Sequence, residues 1–243
     1  MSHQAIPINK YISSTGYCSR READAMIAQC RVMINDSIAL PTSKVTENDK
    51  VYVDDELLKK KKSLSTYIIL NKPVGITTTT DTQDKSNVIS YINYPKRIFP
   101  VGRLDKDSEG LLLLTDDGDI VNKILRAGNK HDKEYIVTVN KAITPEFITK
   151  MANGVPILGT QTLKCKVYAL SGKKFSIVLT QGLNRQIRRM CEYLGYDVTS
   201  LTRVRIMNIK LDKLPTGKWR LLNATEIGEL NRLLQHSSNT KSI

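Results

Sequence analysis

The sequence predicts an α+β chain in two parts, a small module over residues 1–62 and a larger domain over residues 63–236. Three observations lead there. Short β-rich runs recur from residue 67 onward without the regular strand–helix alternation of a parallel sheet, which argues for a mainly antiparallel mixed sheet with flanking helices. Four lysines at 59–62 interrupt the apolar patterning and read as a solvated spacer between the parts. The charge divides with them: of a net +13, residues 1–62 hold 10 basic and 8 acidic side chains, and the remainder 27 and 16.

In the first part, Ile8-Asn9-Lys10-Tyr11-Ile12 opens a short amphipathic helix that Gly16 ends. Ser19-Arg20-Arg21-Glu22 has the spacing of a capping box, and Ala23, Met26, Ile27 and Cys30 then give a second helix one apolar face. Asn35-Asp36 between two apolar triplets reads as a hairpin turn, with a further strand at 51–53. In the second part, residues 67–70 read as a buried strand, and further strands are expected at 75–80, 135–139, 163–169 and 175–179. Helices are expected at 120–126, 145–153, 185–194 and 225–234. Residues 237–243 are polar and read as a disordered tail.

Composition removes several function classes. Hydrophobic residues make up 40 %, ordinary for a globular protein, and no apolar run approaches the ~20 residues of a membrane span. Residues 1–5 lack the basic start and apolar stretch of a secretory signal, so a soluble, cytoplasmic protein is expected. Cys18, Cys30, Cys165 and Cys191 are widely spaced, and the histidines are only His3, His131 and His236; neither a disulfide framework nor a zinc site is expected. A surplus of cations concentrated in the larger part points to a polyanion, with nucleic acid the leading partner.

The chemistry-bearing stretch is Gly102-Arg103-Leu104-Asp105-Lys106-Asp107-Ser108-Glu109-Gly110, which runs into four leucines at 111–114. The leucines are apolar on both faces of an element, so the loop is anchored at the edge of a packed core. Between Arg103 and Lys106, Asp105 sits in a positive field that favours its ionised form. Asn71-Lys72-Pro73-Val74-Gly75 reads as a turn that leaves Lys72 facing outward. Lys133-Glu134-Tyr135 begins a strand in which Tyr135 shares a face with Val137 and Val139; by pattern alone it is more readily a core residue than a catalytic one. Asn184-Arg185-Gln186-Ile187-Arg188-Arg189 gathers three arginines near a helix N-terminus, where backbone amides favour anions. Arg203-Val204-Arg205-Ile206 is an alternating strand with two basic residues on one face. Thr115-Asp116-Asp117-Gly118-Asp119 lacks the spacing of a calcium loop and reads as a helix cap.

The two helices and hairpin of the first part resemble the S4 RNA-binding module, which implies that Lys10, Arg20 and Arg21 contact phosphates. The four motifs between 71 and 191, in order behind that module, resemble the S4-bearing pseudouridine synthases of the RsuA/RluB/RluE/RluF branch, most of all its RluF members. That resemblance implies a pseudouridine synthase domain in which Asp105 is the catalytic carboxylate, as nucleophile or sugar-proton base. It implies that Tyr135 stacks on the target base and assists proton transfer, and that Arg188 pairs with Asp105 and orients it. Arg103 would fill the stack vacated by a flipped uridine, and Lys72, Arg185, Arg189, Arg203 and Arg205 would bind RNA. The implied reaction isomerises a uridine of large-subunit ribosomal RNA, with a transfer-RNA anticodon arm as a second substrate. It uses no cofactor, metal or obligate protein partner, and the protein is expected to be a monomer. Two other classes stay open on the residues: a non-catalytic S4-type RNA-binding or ribosome-assembly factor, and a two-carboxylate glycosidase with Asp107 or Glu109 as the second acid.

Overall fold

The computed structural model describes residues 5–59 and 65–237, and the chain divides into two compact units, Met1–Ser65 and Thr66–Ile243. Most of the expected spacer and tail lies outside the described residues.

The first unit begins with β1 (Ile6–Pro7) and α1 (Ile8–Ser14). The chain leaves α1 at Gly16, and α2 (Arg20–Ala28) starts with the capping box: Ser19 accepts from the Glu22 amide, and Glu22 accepts from the Ser19 amide. Such reciprocal capping satisfies two of the amides left free at a helix start. Next come β2 (Val32–Ile34), β3 (Ser37–Ile38), β4 (Lys44–Val45), β5 (Val51–Val53) and β6 (Glu56–Leu57). The turn between β2 and β3 is the expected Asn35-Asp36, with Asn35 in the left-handed region at φ +53°. A sheet in the order β3-β2-β5-β6 packs Val32, Val51 and Val53 with Ile8 and Ile12 of α1 and Ala23 and Ile27 of α2.

The second unit is one large mixed sheet. Its strands are β7 (Tyr67–Lys72), β8 (Phe99–Pro100), β9 (Glu109–Thr115) and β10 (Lys133–Val139). After the short hairpin of β11 (Pro156–Ile157) and β12 (Thr160–Gln161) come β13 (Lys166–Ser171), β14 (Lys174–Leu179), β15 (Val198–Ile206), β16 (Ile209–Lys210) and β17 (Trp219–Leu221). The order is β13-β14-β10-β15-β9-β7-β17, with β8 beside β9 and β16 beside β15. The β9–β15 pairing is parallel and every other pairing in the sheet is antiparallel.

The helices α3 (Val88–Ile92), α4 (Gly118–Leu125), α5 (Pro145–Asn153), α6 (Gln186–Tyr193) and α7 (Ala224–Leu234) complete the unit. Leu111, Leu112, Leu113 and Leu114 are all fully buried, because β9 carries core on both faces. Leu111 and Leu113 pack with Ile120 and Ile124 of α4 and Leu230 and Leu234 of α7. Leu112 and Leu114 pack on the opposite face with Val88 and Ile92 of α3 and with Leu104. A third cluster joins Val137, Phe175 and Ile177 to Phe147 and Met151 of α5 and Ile187 and Met190 of α6.

The strand expected at 75–80 does not form. Gly75 turns the chain at φ +93°, and the segment contributes an isolated bridge from Thr77 to Asn87 in place of a strand, while Gly75 and Thr78 bond to the Asp105 loop. Conversely, α3 and β17 had no clear signal: one is five residues long, the other three. Trp219 of β17 is 40 % exposed and meets Tyr94 edge-on at 5.7 Å. Among the described residues no helix is long and apolar enough to cross a membrane.

Candidate active site

Asp105 lies in the loop joining β8 to β9, which is fastened from two directions. The turn after β7 supplies one set of bonds. Thr78 Oγ1 donates to the Leu104 carbonyl at 2.7 Å and accepts from the Leu104 amide at 3.2 Å. The Gly75 amide donates to the Lys106 carbonyl at 2.8 Å, and within the loop the Ser108 amide donates to the Asp105 carbonyl at 3.0 Å. The backbone on both sides of Asp105 is thereby fixed, while its side chain keeps 36 % of its surface exposed.

Helix α6 supplies the second set. Arg185 is its N-cap, in left-handed backbone at φ +48°, and forks its guanidinium onto Asp107 with both N–O distances at 3.0 Å. The Arg185 guanidinium beside Asp107 holds that carboxyl below its ordinary range. The same Arg185 Nη1 lies 3.9 Å from Asp105 Oδ2. Arg188, nearly one turn further along, donates from Nη2 to the Asp107 carbonyl at 2.8 Å and to Ser108 Oγ at 3.3 Å, and from Nη1 to the Val198 carbonyl at 3.3 Å.

The expected Arg188–Asp105 pair is therefore corrected. Arg188 is only 16 % exposed and reaches beneath the loop, where it meets backbone carbonyls and comes within 3.6 Å of Asp107; the arginine within 4 Å of Asp105 is Arg185, at the exposed tip of the helix. This also weighs against a two-carboxylate glycosidase. Asp107 is occupied by Arg185, and Glu109 accepts from Thr202 Oγ1 at 2.9 Å.

Tyr135 is half-buried on β10, opposite Ile177 of β14 and Arg203 of β15. It packs against both the cluster of Val137 and Phe175 and the cluster of Leu104 and Leu112, so it sits where the two cores meet. Arg103 is exposed beside Asp105. In the first unit, Arg20 and Arg21 are exposed on the first turn of α2, and Lys10 is half-buried.

Two other expected RNA contacts, Lys72 and Arg203, are turned inward. Lys72 was expected to face outward but is fully buried, its Nζ donating to the Pro73 and Ile76 carbonyls, each at 2.9 Å. It continues the buried face of β7 two residues beyond Leu70, which outweighs the turn chemistry of Pro73. Arg203 is 3 % exposed and shares a strand face with buried Leu201; its Nε donates to the Leu111 carbonyl at 2.8 Å. Arg205 pairs with Glu134 at 2.8 Å, and Arg189 bonds back to Asn184. The sequence signal that was missed in Lys72 and Arg203 is their i+2 spacing from buried leucines.

Comparison with known proteins bears on the family. Residues 66–193 match the family model described as RNA pseudouridylate synthase, and residues 6–61 match the S4 domain. A dual-specificity RNA pseudouridine synthase RluF of Salmonella typhi is 54 % identical over 96 % of this chain and 81 % of its own length. The ribosomal large subunit pseudouridine synthase B of Bacillus subtilis is 33 % identical over 96 % and 98 %. A crystal structure of a pseudouridylate synthase superposes with a TM-score of 0.69 at 29 % identity, covering 93 % of this chain and 99 % of that one. A synthase sheet with a tethered carboxylate loop, an S4 module ahead of it and relatives of more than half identity place this chain in the RNA pseudouridylate synthase family, in its RluF-like, S4-bearing branch.

Proposed function

We propose that this pseudouridine synthase acts in the cytoplasm, as a monomer, on one specific uridine of large-subunit ribosomal RNA and on a second uridine in a transfer-RNA anticodon arm, with Asp105 as the catalytic carboxylate. The observation that carries the site is the Asp105 loop: its backbone is bonded on both sides, yet its carboxylate stays open to a substrate. The names of the relatives, dual-specificity in one and large ribosomal subunit in the other, support the two substrates.

The reaction breaks the N1–C1′ bond of the uridine, turns the base and joins C5 to C1′. The C5 proton is lost and N1 regains one, so atoms balance without a group leaving. Asp105 opens the sequence, either by attack at C1′ or by taking a sugar proton. The uridine first leaves its helix, an unstacking that costs a few kcal/mol. Arg103, exposed in the Asp105 loop, fills the gap, and Tyr135 stacks on the flipped base and assists proton transfer with its hydroxyl. Arg20, Arg21 and Lys10 of the S4 unit hold phosphates, an attraction that weakens with salt.

Tritium release from RNA labelled at uridine C5 tests this reading, with wild type compared against Asp105→Asn on ribosomal and transfer RNA separately. The expected outcome is release from both RNAs by the wild type and none by the variant, at unchanged RNA affinity and melting temperature. Substantial release by Asp105→Asn would remove Asp105 from the mechanism, and release from only one RNA would remove the dual substrate.

A further inference from the structure

Two cations are folded into the interior beneath the Asp105 loop. The strand register pairs Lys72 of β7 with Gly110 of β9, Gly110 with Arg203 of β15, and Arg203 with Tyr135 of β10. Directly paired residues project from the same face of a sheet. Lys72, Arg203 and Tyr135 therefore form one row, and Gly110 puts no side chain between the two cations. Lys72 has no exposed surface and Arg203 only 3 %.

Among the described residues, neither cation is in ion-pair contact with a carboxylate. Lys72 spends its ammonium on the Pro73 and Ile76 carbonyls. Arg203 donates to the Leu111 carbonyl and, at 3.4 Å, to the carbonyl of Arg103, two residues before Asp105; its Nη2 is buried without a hydrogen-bond partner. Burying charge without a contact partner is strongly unfavourable. A chain tolerates it where the charge serves something close by, and the loop above meets that description. Arg203 holds Arg103 from below, and the turn that Lys72 ties down holds Lys106 through Gly75.

We propose that Lys72 and Arg203 are positioning residues, a buried cationic floor that stabilises the ionised carboxylate of Asp105 and the shape of its loop without touching RNA. This rests on the reading of Asp105 as the catalytic carboxylate. The charges facing the floor are Asp105, Asp107 and Glu109 from the loop and the start of β9, Lys133 of β10 beside Arg203, and Arg185 and Arg188 of α6 above Asp105 and Asp107. Burial pushes the Lys72 ammonium down to about 8, against the pull of Asp105 and Asp107. Lys72 thus carries its charge at neutral pH and loses it on the alkaline side.

The test is single-turnover isomerisation of a large-subunit ribosomal RNA transcript across pH 5 to 10, alongside RNA affinity. Lys72→Gln removes the charge and keeps a donor for the Pro73 and Ile76 carbonyls; Arg203→Lys keeps a charge, and Arg203→Met removes it. In Lys72→Gln and Arg203→Met the expected results are RNA affinity within twofold of wild type, a rate at pH 7 lower by about tenfold, and an acidic limb moved up by about one pH unit, the size of one buried charge interaction. Arg203→Lys is expected to keep the wild-type acidic limb. Wild type is expected to lose rate near pH 8 as Lys72 deprotonates. Burial pushes the Lys133 ammonium into the same range, so Lys133→Met, which leaves Lys72 in place, is expected to retain that loss; its disappearance there would assign the alkaline limb to Lys133 and count against the floor. A folded Lys72→Gln with the wild-type rate and pH profile, or a wild-type rate flat through pH 9, overturns the proposal. Asp105→Asn in the same assay separates the two readings: an inactive Asp105→Asn beside an unaffected Lys72→Gln refutes only the floor, whereas an active Asp105→Asn refutes the catalytic reading itself.

Discussion

Gly110→Ala is expected to damage both the fold and the reaction, because Gly110 is where β9 and β15 approach closest to the site. Its φ is +104°, a conformation an L-residue adopts at a penalty of about 1–2 kcal/mol. A Cβ built there would lie 2.4 Å from the Arg203 carbonyl oxygen, 2.7 Å from its amide nitrogen and 3.0 Å from its carbonyl carbon. These are backbone atoms and cannot swing away. Reaching ordinary contact of about 3.4 Å means parting the strands by roughly 1 Å, and such overpacking costs about 1–3 kcal/mol. The parallel pairing there has two registered pairs, Thr202 with Glu109 and Arg203 with Gly110, and the side-chain bonds from Thr202 to Glu109 and from Arg203 to the Leu111 carbonyl span the same gap, so parting the strands strains these as well. The combined loss of about 2–5 kcal/mol corresponds to a fall in melting temperature of roughly 5–15 °C for a unit of this size. Because Gly110 ends the Asp105 loop, a shift of that order is expected to slow turnover on the order of 100-fold. Differential scanning calorimetry and tritium release measure the two effects. Gly228→Ala is the control: Gly228 is exposed inside α7 with nothing within 4 Å of its Cβ position, and alanine there is expected to stabilise by about 0.5–1 kcal/mol. A Gly110→Ala protein melting within 2 °C of wild type at full turnover would refute the close-approach argument and the row of side chains derived from it.

Tyr135→Phe keeps the ring and removes the hydroxyl, so RNA affinity is expected to hold while turnover falls by about 10- to 100-fold; a wild-type rate would confine Tyr135 to stacking. Asp107→Asn dissolves the fork with Arg185, a half-exposed pair contributing only about 0.5–1 kcal/mol to stability, so melting is expected to change little while turnover drops through a loosened loop. Since the Asp107 carboxyl is held below its ordinary range, the stability it contributes is present above pH ~4 and lost as pH falls through its folded value, and the acid-denaturation curve of Asp107→Asn is expected to lack that component. Lys133 is 8 % exposed, and burial pushes its ammonium down to about 8. Between pH 8 and about 10.5 the unfolded chain binds more protons there, so stability rises with pH in that window. Lys133→Met is accordingly expected to melt higher at pH 7, by at most about 3 kcal/mol, with the gain gone by pH 10.5; a destabilised variant at pH 7 would refute the assignment.

The sequence by itself determined what depends on near neighbours along the chain. The Ser19–Glu22 box, the Asn35-Asp36 turn, the double-faced leucines of β9 and the helix over Pro145–Asn153 all formed as patterned, since caps, turns and periodicity act within a few residues. Asp105 was legible for a similar reason: a polar loop running into a core strand has one place to go, at the rim of the sheet. The partners of that loop were decided only by the tertiary structure. Whether Arg185 or Arg188 meets Asp105 depends on an N-cap in left-handed backbone some eighty residues away. Whether Lys72 and Arg203 face RNA or the interior depends on pairings of 72 with 110 and of 110 with 203. Residue type describes a side chain's chemistry; only the strand register and helix position set the direction in which a lysine or arginine delivers its charge.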